Sequence, residues 1–307
     1  MRKAILFILV TIMITQASCS KKGDVIENNK NEKLYDVKLS VSTFSTEIVG
    51  MNSSASSSAR SSTSLAADAI GDQISVLEYL IYNSGGVLVK NTVQEKTLST
   101  FGSISEQLPA GDYKVYIFGS TEQFSVLDKE ISTKAFASPS IYNIGDWFMK
   151  SVDLKVSDKT QAQNVILERA VGKIEVNITD AIPVNTAKIT ISSVTASWIY
   201  LNNSSKPANE MKTIEINVAA TDIGKSNFVV GKYVVPENGG SIVSDISIRA
   251  YNASGALIAD KIVKDVKVEK NKKTIMTGKL FIAPAINTGF SVRVNADWNT
   301  QNNEVKF

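Results

Sequence analysis

Apolar and polar residues alternate in short runs along most of the chain. In residues 173–178, for example, Ile174, Val176 and Ile178 alternate with Lys173, Glu175 and Asn177. Successive side chains of a β-strand point to opposite faces of its sheet, so this alternation predicts a strand with one buried and one wet face. Gly, Pro and Asn clusters separate the runs, as turns do. The pattern predicts an all-β fold.

Residues 164–179 mark a boundary within this pattern. A β-rich segment closes at Val165, Ile166 and Leu167, Gly172 interrupts, and the alternating strand follows. About half of the mature chain lies on each side, and domains commonly run ~100–150 residues. We therefore predict two domains, residues 34–165 and residues 166–307.

Both predicted domains show hairpin signals. In the first, residues 74–82 are rich in β-branched and aromatic residues and lead into the turn at residues 83–86. In the second, residues 236–240 separate two strands, and residues 290–298 place Phe290, Val292, Val294, Ala296 and Trp298 on one face. Short strands at close spacing, without an amphipathic helix of ordinary length after the leader, favour two β-sandwiches.

Composition argues against several functions. The net charge is +3, which does not indicate a nucleic-acid partner. The chain has no His, which removes Ser-His-Asp and Cys-His catalysis and His-ligated zinc. Carboxylates alternate with apolar residues as on wet sheet faces, and no pair of them suggests acid/base chemistry. We predict a protein that is not an enzyme and that uses neither a metal nor a cofactor.

The N-terminus carries an export signal. Residues 1–18 combine a positive start with an apolar segment of 12 residues, whereas a spanning helix needs ~20. Gln16-Ala17-Ser18-Cys19 resembles a bacterial lipobox, although Gln16 stands where most lipoboxes have an aliphatic residue. The resemblance implies lipidation of the Cys19 thiol, including palmitate, and cleavage before it. The alternative is a secretory signal peptide followed by a stray thiol.

Two polar segments follow the signal peptide. Residues 19–33 are charged and aperiodic, which predicts a flexible tether. Residues 34–48 predict a first strand, and the Ser-rich residues 51–64 predict a loop that contains Arg60. Arg60 is either a solvated loop residue or a site for a trypsin-like processing protease.

Several motifs together resemble a known family. They are LPAGDYKV at residues 108–115, ERAVGKIEV at 168–176, a turn at Pro183, NKKTIMTGKLF at 271–281 and FSVRVNADW at 290–298. In this order, after a lipobox, they resemble the fimbrillin superfamily of Bacteroidetes, which holds the shaft, anchor and tip subunits of fimbriae. The resemblance covers nearly the whole mature chain.

The resemblance implies both a fold and a function. The fold would be two tandem transthyretin-like β-sandwich domains, and the protein would be a lipoprotein of the cell outer membrane that assembles into a surface fimbrium, or pilus. In shaft subunits, an Arg-specific protease removes an N-terminal strand, and the vacated groove accepts a strand of a neighbouring subunit. Arg60 and residues 34–48 are the matching positions here. The implied partners are other fimbrial subunits, the outer membrane through the lipid, and host or bacterial surface ligands for cell adhesion.

A surface glycan-binding lipoprotein is the alternative function. Trp147, Trp198 or Trp298 would then form an exposed stacking platform, although aromatic residues more often belong to a core. Lysines also crowd residues 261–273, which indicates either an anionic-glycan patch or a sheet edge protected from aggregation. Two exposed Trp side chains on one face would favour this alternative.

Overall fold

The computed structural model describes residues 32–43, 68–139, 144–159, 161–196, 198–202, 211–237, 240–282 and 290–295. The described strands all belong to one compact unit, Leu34–Phe307. Cys19, Arg60, Ala296, Trp298 and residues 44–48 lie outside the described residues.

The described residues are almost entirely β-structure, which confirms the predicted all-β fold. Helical turns occur at α1, Asp68–Gly71, and at a 3-10 turn, Ala220–Asp222. We call β1–β9 the first half and β10–β18 the second half. The strands of the first half are β1 Leu34–Thr43, β2 Val76–Asn83, β3 Leu88–Glu95, β4 Ser103–Pro109, β5 Gly111–Ser120, β6 Phe124–Leu127, β7 Phe136–Pro139, β8 Trp147–Val156 and β9 Gln161–Arg169. Those of the second half are β10 Gly172–Ile178, β11 Lys188–Val194, β12 Ile199–Tyr200, β13 Met211–Asn217, β14 Phe228–Val234, β15 Ser241–Tyr251, β16 Leu257–Glu269, β17 Lys273–Gly278 and β18 Ser291–Asn295.

The first half is a sandwich made by one sheet that folds back on itself. Its order is β3-β2-β5-β8-β9-β1-β4, and β8 pairs with β9 only at residues 148–149 and 168–169. The β4-β1-β9 layer packs against the β3-β2-β5-β8 layer through alternating apolar side chains such as Leu39, Leu77, Ile117 and Leu167. The burial of Leu39 and Ile117 follows the alternation of their strands.

The second half is a sandwich of two separate sheets. Their orders are β14-β10-β17-β18 and β13-β11-β15-β16. Ile174, Val176 and Ile178 of β10 lie in the core between them with Ile191 and Ile248. The alternation in residues 173–178 therefore places its apolar side inward, as predicted.

The two halves repeat one pairing scheme. In the first, β1 pairs antiparallel with β4 and parallel with β9, while β2 lies between β3 and β5. In the second, β10 pairs antiparallel with β14 and parallel with β17, while β11 lies between β13 and β15. Seven strands thus correspond in order: β1, β2, β3, β4, β5, β8 and β9 match β10, β11, β13, β14, β15, β16 and β17.

A third apolar cluster joins the halves. It packs Tyr116 and Trp147 of the first half against Ile199, Leu201 and Val235 of the second. Strand β12 also pairs with β7 and completes a small sheet of order β12-β7-β6. The halves are therefore held together by both apolar burial and backbone hydrogen bonds.

The chain passes between the halves at Gly172. Strand β9 runs through residues 165 and 166, where the sequence places the boundary, and β10 begins at Gly172. A Cβ atom at Gly172 would lie 2.5 Å from the carbonyl oxygen of Glu269 and 2.7 Å from Val268. Only glycine allows β16 to end this close to the start of β10.

Candidate functional site

The strand β1 is central in its layer, although it is the first strand among the described residues. On one side it pairs with β4 from Leu34↔Pro109 to Ser40↔Ser103. On the other it pairs with β9 from Val37↔Gln161 to Thr43↔Leu167. Both hydrogen-bonding edges of β1 are therefore occupied, and its removal would open a slot between β4 and β9.

The inward side chains of β1 fill the core of the first sandwich. Val37, Leu39 and Val41 are 0%, 2% and 3% exposed, whereas Lys38 and Ser40 between them are exposed. Burying three such side chains stabilises a fold by roughly 5–9 kcal/mol, at about 1.5–3 kcal/mol each. The strand is thus a large part of the stability of its sandwich.

The slot is lined by apolar side chains. Val165 and Leu167 of β9 and Ile104 and Leu108 of β4 flank it and lie in the same core cluster as the β1 side chains. Without β1, this apolar lining and two rows of backbone groups would face water, which is unfavourable for both. A replacement strand with apolar residues at every second position would satisfy both.

The last described strand, β18, has such a pattern. It pairs antiparallel with β17, from Lys273↔Asn295 to Thr277↔Ser291. Phe290 packs partly on the second core, but Val292 and Val294 are each 39% exposed. The predicted apolar face of this strand is therefore only partly covered within the chain.

The predicted site residues Cys19 and Arg60 fall outside the described residues. In the sequence, Arg60 lies between β1 and α1, so a cut there would sever β1 from the rest of the chain. Within the described residues, no group of His, Cys, Asp and Glu is arranged to hold a metal ion. None of the helices described is long and apolar enough to cross a membrane.

Trp147 is buried and cannot form part of an exposed stacking platform for glycans. This side chain is 3% exposed, and its ring lies 5.5 Å from the Phe124 ring. Trp198 is half-buried and stacks at 5.1 Å on Phe136, and Trp298 lies outside the described residues. The two described tryptophans thus belong to packing between strands.

The crowded lysines lie on and after an edge strand. Lys261, Lys264 and Lys267 are on β16, the last strand of its sheet. Lys264 pairs with Asp245 at 2.6 Å, and Lys267 pairs with Glu269 at 3.1 Å. Charged side chains on an exposed edge prevent pairing with other sheets, which was one of the two interpretations of this run.

Sequence reasoning missed a buried ion pair at the junction of the halves. Arg169, at the end of β9, donates to both oxygens of Asp146 at 2.7 and 2.9 Å. It also donates to Asn271 of the second half at 3.1 Å, and its guanidinium lies 4.7 Å from the Phe148 ring centre. Burial raises the pKa of Asp146, and the hydrogen bonds from Arg169 oppose that rise. One feature of the sequence could have indicated this ion pair: Arg is rare in the chain, and Arg169 stands at the end of a strand with apolar residues.

The comparisons with known proteins give a family and a fold. Residues 143–306 match a family described as a family of unknown function, DUF6562, and the chain belongs to that family. No curated protein matches the sequence.

Solved structures from Bacteroidetes share the fold. A Bacteroides thetaiotaomicron protein, provisionally described as polysaccharide binding (DUF1812), has a TM-score of 0.53 and 10% identity over 85% of this chain and 96% of its own. A Bacteroides ovatus protein, provisionally described as an adhesin, has a TM-score of 0.50 and 9% identity over 87% and 97%. The fimbrial anchor protein Mfa2 of Porphyromonas gingivalis has a TM-score of 0.45 and 12% identity over 86% and 98%. The similarity to the first two structures shows a shared fold.

Proposed function

We propose that this protein is a structural and adhesive subunit of cell-surface fimbriae, which is exported as a lipoprotein and joined to neighbouring subunits by strand addition. The position of β1 carries the proposal. It is paired on both edges and buried on one face, yet its connection to the rest of the chain runs through Arg60. A single cut therefore frees a strand whose slot matches an extended segment of another subunit.

The energetics favour replacement of β1 by an incoming strand over departure of β1 alone. The burial of Val37, Leu39 and Val41 opposes the departure of β1, so an empty slot would be short-lived. An incoming strand forms the same ladder and fills the same pockets as the old one leaves. We take β18 and the residues after it as the donor, because Val292 and Val294 alternate with polar residues and are poorly covered.

The domain organisation belongs to the same proposal. Residues 34–165 and residues 166–307 would be two transthyretin-like domains. The separate core of each half and the repeated pairing scheme support two domains, with β9 to Arg169 in the first. A lipid on Cys19 would hold the subunit at the outer membrane through the tether of residues 19–33. One acyl chain gives a marginal membrane anchor, and two or more acyl chains give a stable one. Each CH₂ group buried in the membrane contributes ~0.8 kcal/mol of binding free energy.

The test is controlled cleavage. Purified protein treated with an Arg-specific protease is expected to form oligomers that survive dilution, and mass spectrometry is expected to find Ser61 as the new N-terminus. Arg60→Ala is the matched control and is expected to remain monomeric under the same treatment. Oligomers with an intact N-terminus, or equal assembly by Arg60→Ala, would contradict the proposal.

Membrane attachment is tested separately. Cys19→Ala in the native cell is expected to shift the protein from the membrane fraction to the soluble fraction, because it removes the thiol that accepts the lipid. Ser18→Ala, which keeps a small residue and the thiol, is the control. Unchanged retention of Cys19→Ala would rule out the lipid anchor.

A further inference from the structure

The strand β9 has an open edge over most of its length. Residues 161–167 pair in parallel with β1 on one side. On the other side, β9 pairs with β8 only at residues 168–169, so residues 161–167 have no partner strand there among the described residues. We call this side of residues 161–167 the β9 edge. An open edge presents backbone N–H and C=O groups that can pair with a strand of another chain.

The β9 edge lacks the features that usually protect an open edge. Proteins place charged residues or proline on such edges, or keep the edge strand very short. The seven residues of the β9 edge read Gln-Ala-Gln-Asn-Val-Ile-Leu and contain neither a charge nor a proline. On the outer face of the sheet, the Ile166 side chain is 52% exposed. The edge is therefore suited to pairing rather than guarded against it.

The other open edges of the described strands are protected. The edge strands β6 and β12 are only four and two residues long. The longer strands with an open side are β3, β4, β8, β13, β14, β16 and β18, and each contains at least one charged residue. Among the described strands, a long edge without charge is thus particular to β9.

The second half shows how the matching edge is covered. The strand β17 is the match of β9, and it pairs in parallel with β10 as β9 does with β1. On its other side, residues 273–277 of β17 pair with β18 in antiparallel orientation. The pairing scheme that the halves share therefore favours an antiparallel strand on the β9 edge.

A second copy of β9 fits this edge. Two antiparallel copies centred on Asn164 overlap along all of residues 161–167, and Asn164 then lies opposite Asn164 of the other copy. This register places Ile166 opposite Ala162 on the exposed outer face, so apolar side chains meet across the two strands. The strand β18 of another copy is a poorer occupant, because it is already paired with β17.

We propose that two copies of this chain associate by antiparallel pairing of their β9 edges about a twofold axis. The contact joins the β4-β1-β9 layers of both copies into one sheet. It lies on the side of β9 away from β1, so it requires neither cleavage nor strand addition. One pair of short strands makes a small interface, and the dimer is expected to have a Kd on the order of 100 µM and to dissociate on dilution.

Sedimentation equilibrium tests the association. The purified chain, uncleaved and without lipid, is measured over roughly 5–500 µM, a range that brackets the expected Kd. An equilibrium between monomer and dimer is expected, because a twofold contact closes at two copies. A monomer at every concentration would overturn the proposal. So would growth beyond the dimer, which pairing of β9 with a different strand would produce.

Charge substitutions at Asn164 test the register, and the exposure of this side chain lets both variants fold. Asn164→Lys and Asn164→Asp each place like charges opposite each other, which is expected to weaken the dimer about fivefold. An equimolar mixture of the two variants is expected to regain the affinity of the unaltered chain, since opposite charges then face each other. Unchanged dimers of both variants, or a mixture that associates no more tightly than each variant alone, would contradict this pairing.

A control separates the local charge from the net charge. Glu215→Gln on the edge strand β13 raises the net charge by one, as Asn164→Lys does, and its side chain is 61% exposed. This variant is expected to dimerise like the unaltered chain. If Glu215→Gln weakens the dimer as much as Asn164→Lys does, the contact is not at the β9 edge.

Discussion

The two halves share a pairing scheme but differ in how their first strand is attached. The strand β10 follows β9 after Ala170 and Val171, so both of its ends are continuous with ordered strands or turns. The strand β1 reaches α1 only through residues 44–67, which include Arg60. One proteolytic cut can thus release β1, whereas β10 stays in its chain. Under the proposed function, the slot of the first half is exchangeable, whereas the corresponding slot of the second half is permanent.

The halves also differ at the far edge of the matching layer. In the second half, β18 adds to the free side of β17. In the first half, β9 is the match of β17, and among the described residues no strand pairs with residues 161–167 of β9 on the side away from β1. The second sandwich therefore has eight strands and the first has seven, and the additional strand, β18, is the proposed donor.

The largest expected effect comes from removing β1. A chain that begins at Ser61 lacks Val37, Leu39 and Val41, whose burial contributes roughly 5–9 kcal/mol. A typical domain is stable by about 5–15 kcal/mol, so the first half is expected to lose cooperative folding or to oligomerise. Near-UV circular dichroism and light scattering would measure this change.

A peptide can restore the missing strand in trans. The peptide of residues 34–43 is expected to return the truncated chain to a folded monomer, and the same peptide with Leu39→Asp is expected to fail. A truncated chain that melts as the full chain does would mean that β1 is no more important to its sandwich than a surface strand.

The next effect concerns the joint between the halves. Arg169→Met leaves Asp146 buried without its partner and removes the hydrogen bond to Asn271, which should cost about 3–5 kcal/mol. The double variant Arg169→Met with Asp146→Leu removes both charges and is expected to regain a large part of the loss. Denaturant titration measures each free energy of unfolding. If the double variant is as unstable as the single one, the charge is not the cause.

The period of two predicted the strands and their faces well. The inward positions of β1 and β10 follow directly from alternation, because one face of each strand is buried in its own sandwich. The repeated pairing scheme was not predictable, since pairing depends on contacts between residues far apart in the chain. Alternation also predicted that Val292 and Val294 of β18 share one face. It did not predict that this face is only partly covered.

Charged groups in the interior were the least predictable part. Lys232 is on the inward side of β14 between Val230 and Val234, where alternation predicts an apolar residue. Its ammonium donates to Ser193 Oγ at 2.8 Å, to the Ser193 carbonyl at 3.3 Å and to the carbonyl of Lys212. These acceptors come from β11 and the neighbouring β13, so only the packed sandwich reveals why a lysine fits there.

Glu106 on β4 is the corresponding residue of the first half. It lies opposite Val37 of β1, just as Lys232 lies opposite Ile174 of β10. It accepts a hydrogen bond from Tyr79 of β2 at 2.5 Å and pairs with Lys90 of β3 at 3.2 Å. In both halves, an edge strand (β4 or β14) therefore contacts the opposite layer of its sandwich through an ionisable side chain.

The pH dependence of stability should distinguish these two contacts. Burial lowers the pKa of Lys232 from 10.5 to about 7, so between those values the unfolded chain binds more protons than the folded one. The free energy of unfolding is then expected to rise by roughly 3 kcal/mol from pH 7 to pH 9.5, at about 1.4 kcal/mol for each pH unit.

Lys232→Met removes this titration and is expected to show a flatter profile over the same range. Measurements stop below pH 10 because burial raises the pKa of Tyr79 to about 12, and the stability that this shift contributes begins to decline above the ordinary tyrosine pKa of 10.0. Parallel profiles for the two proteins would mean that Lys232 does not change its charge within this window.

The smallest effect is expected at Lys90. Its side chain is 46% exposed, and such pairs contribute about 0.2–1 kcal/mol. Lys90→Met should therefore lower the free energy of unfolding by less than about 1 kcal/mol, and 1 M NaCl should remove most of the difference, since salt screens exposed pairs. Glu106 keeps its hydrogen bond from Tyr79 in this variant, so the contact between the layers persists. A decrease in the free energy of unfolding well above about 1 kcal/mol, unchanged by salt, would contradict this expectation. The Lys90–Glu106 pair would then be as important to the first sandwich as buried Lys232 is to the second.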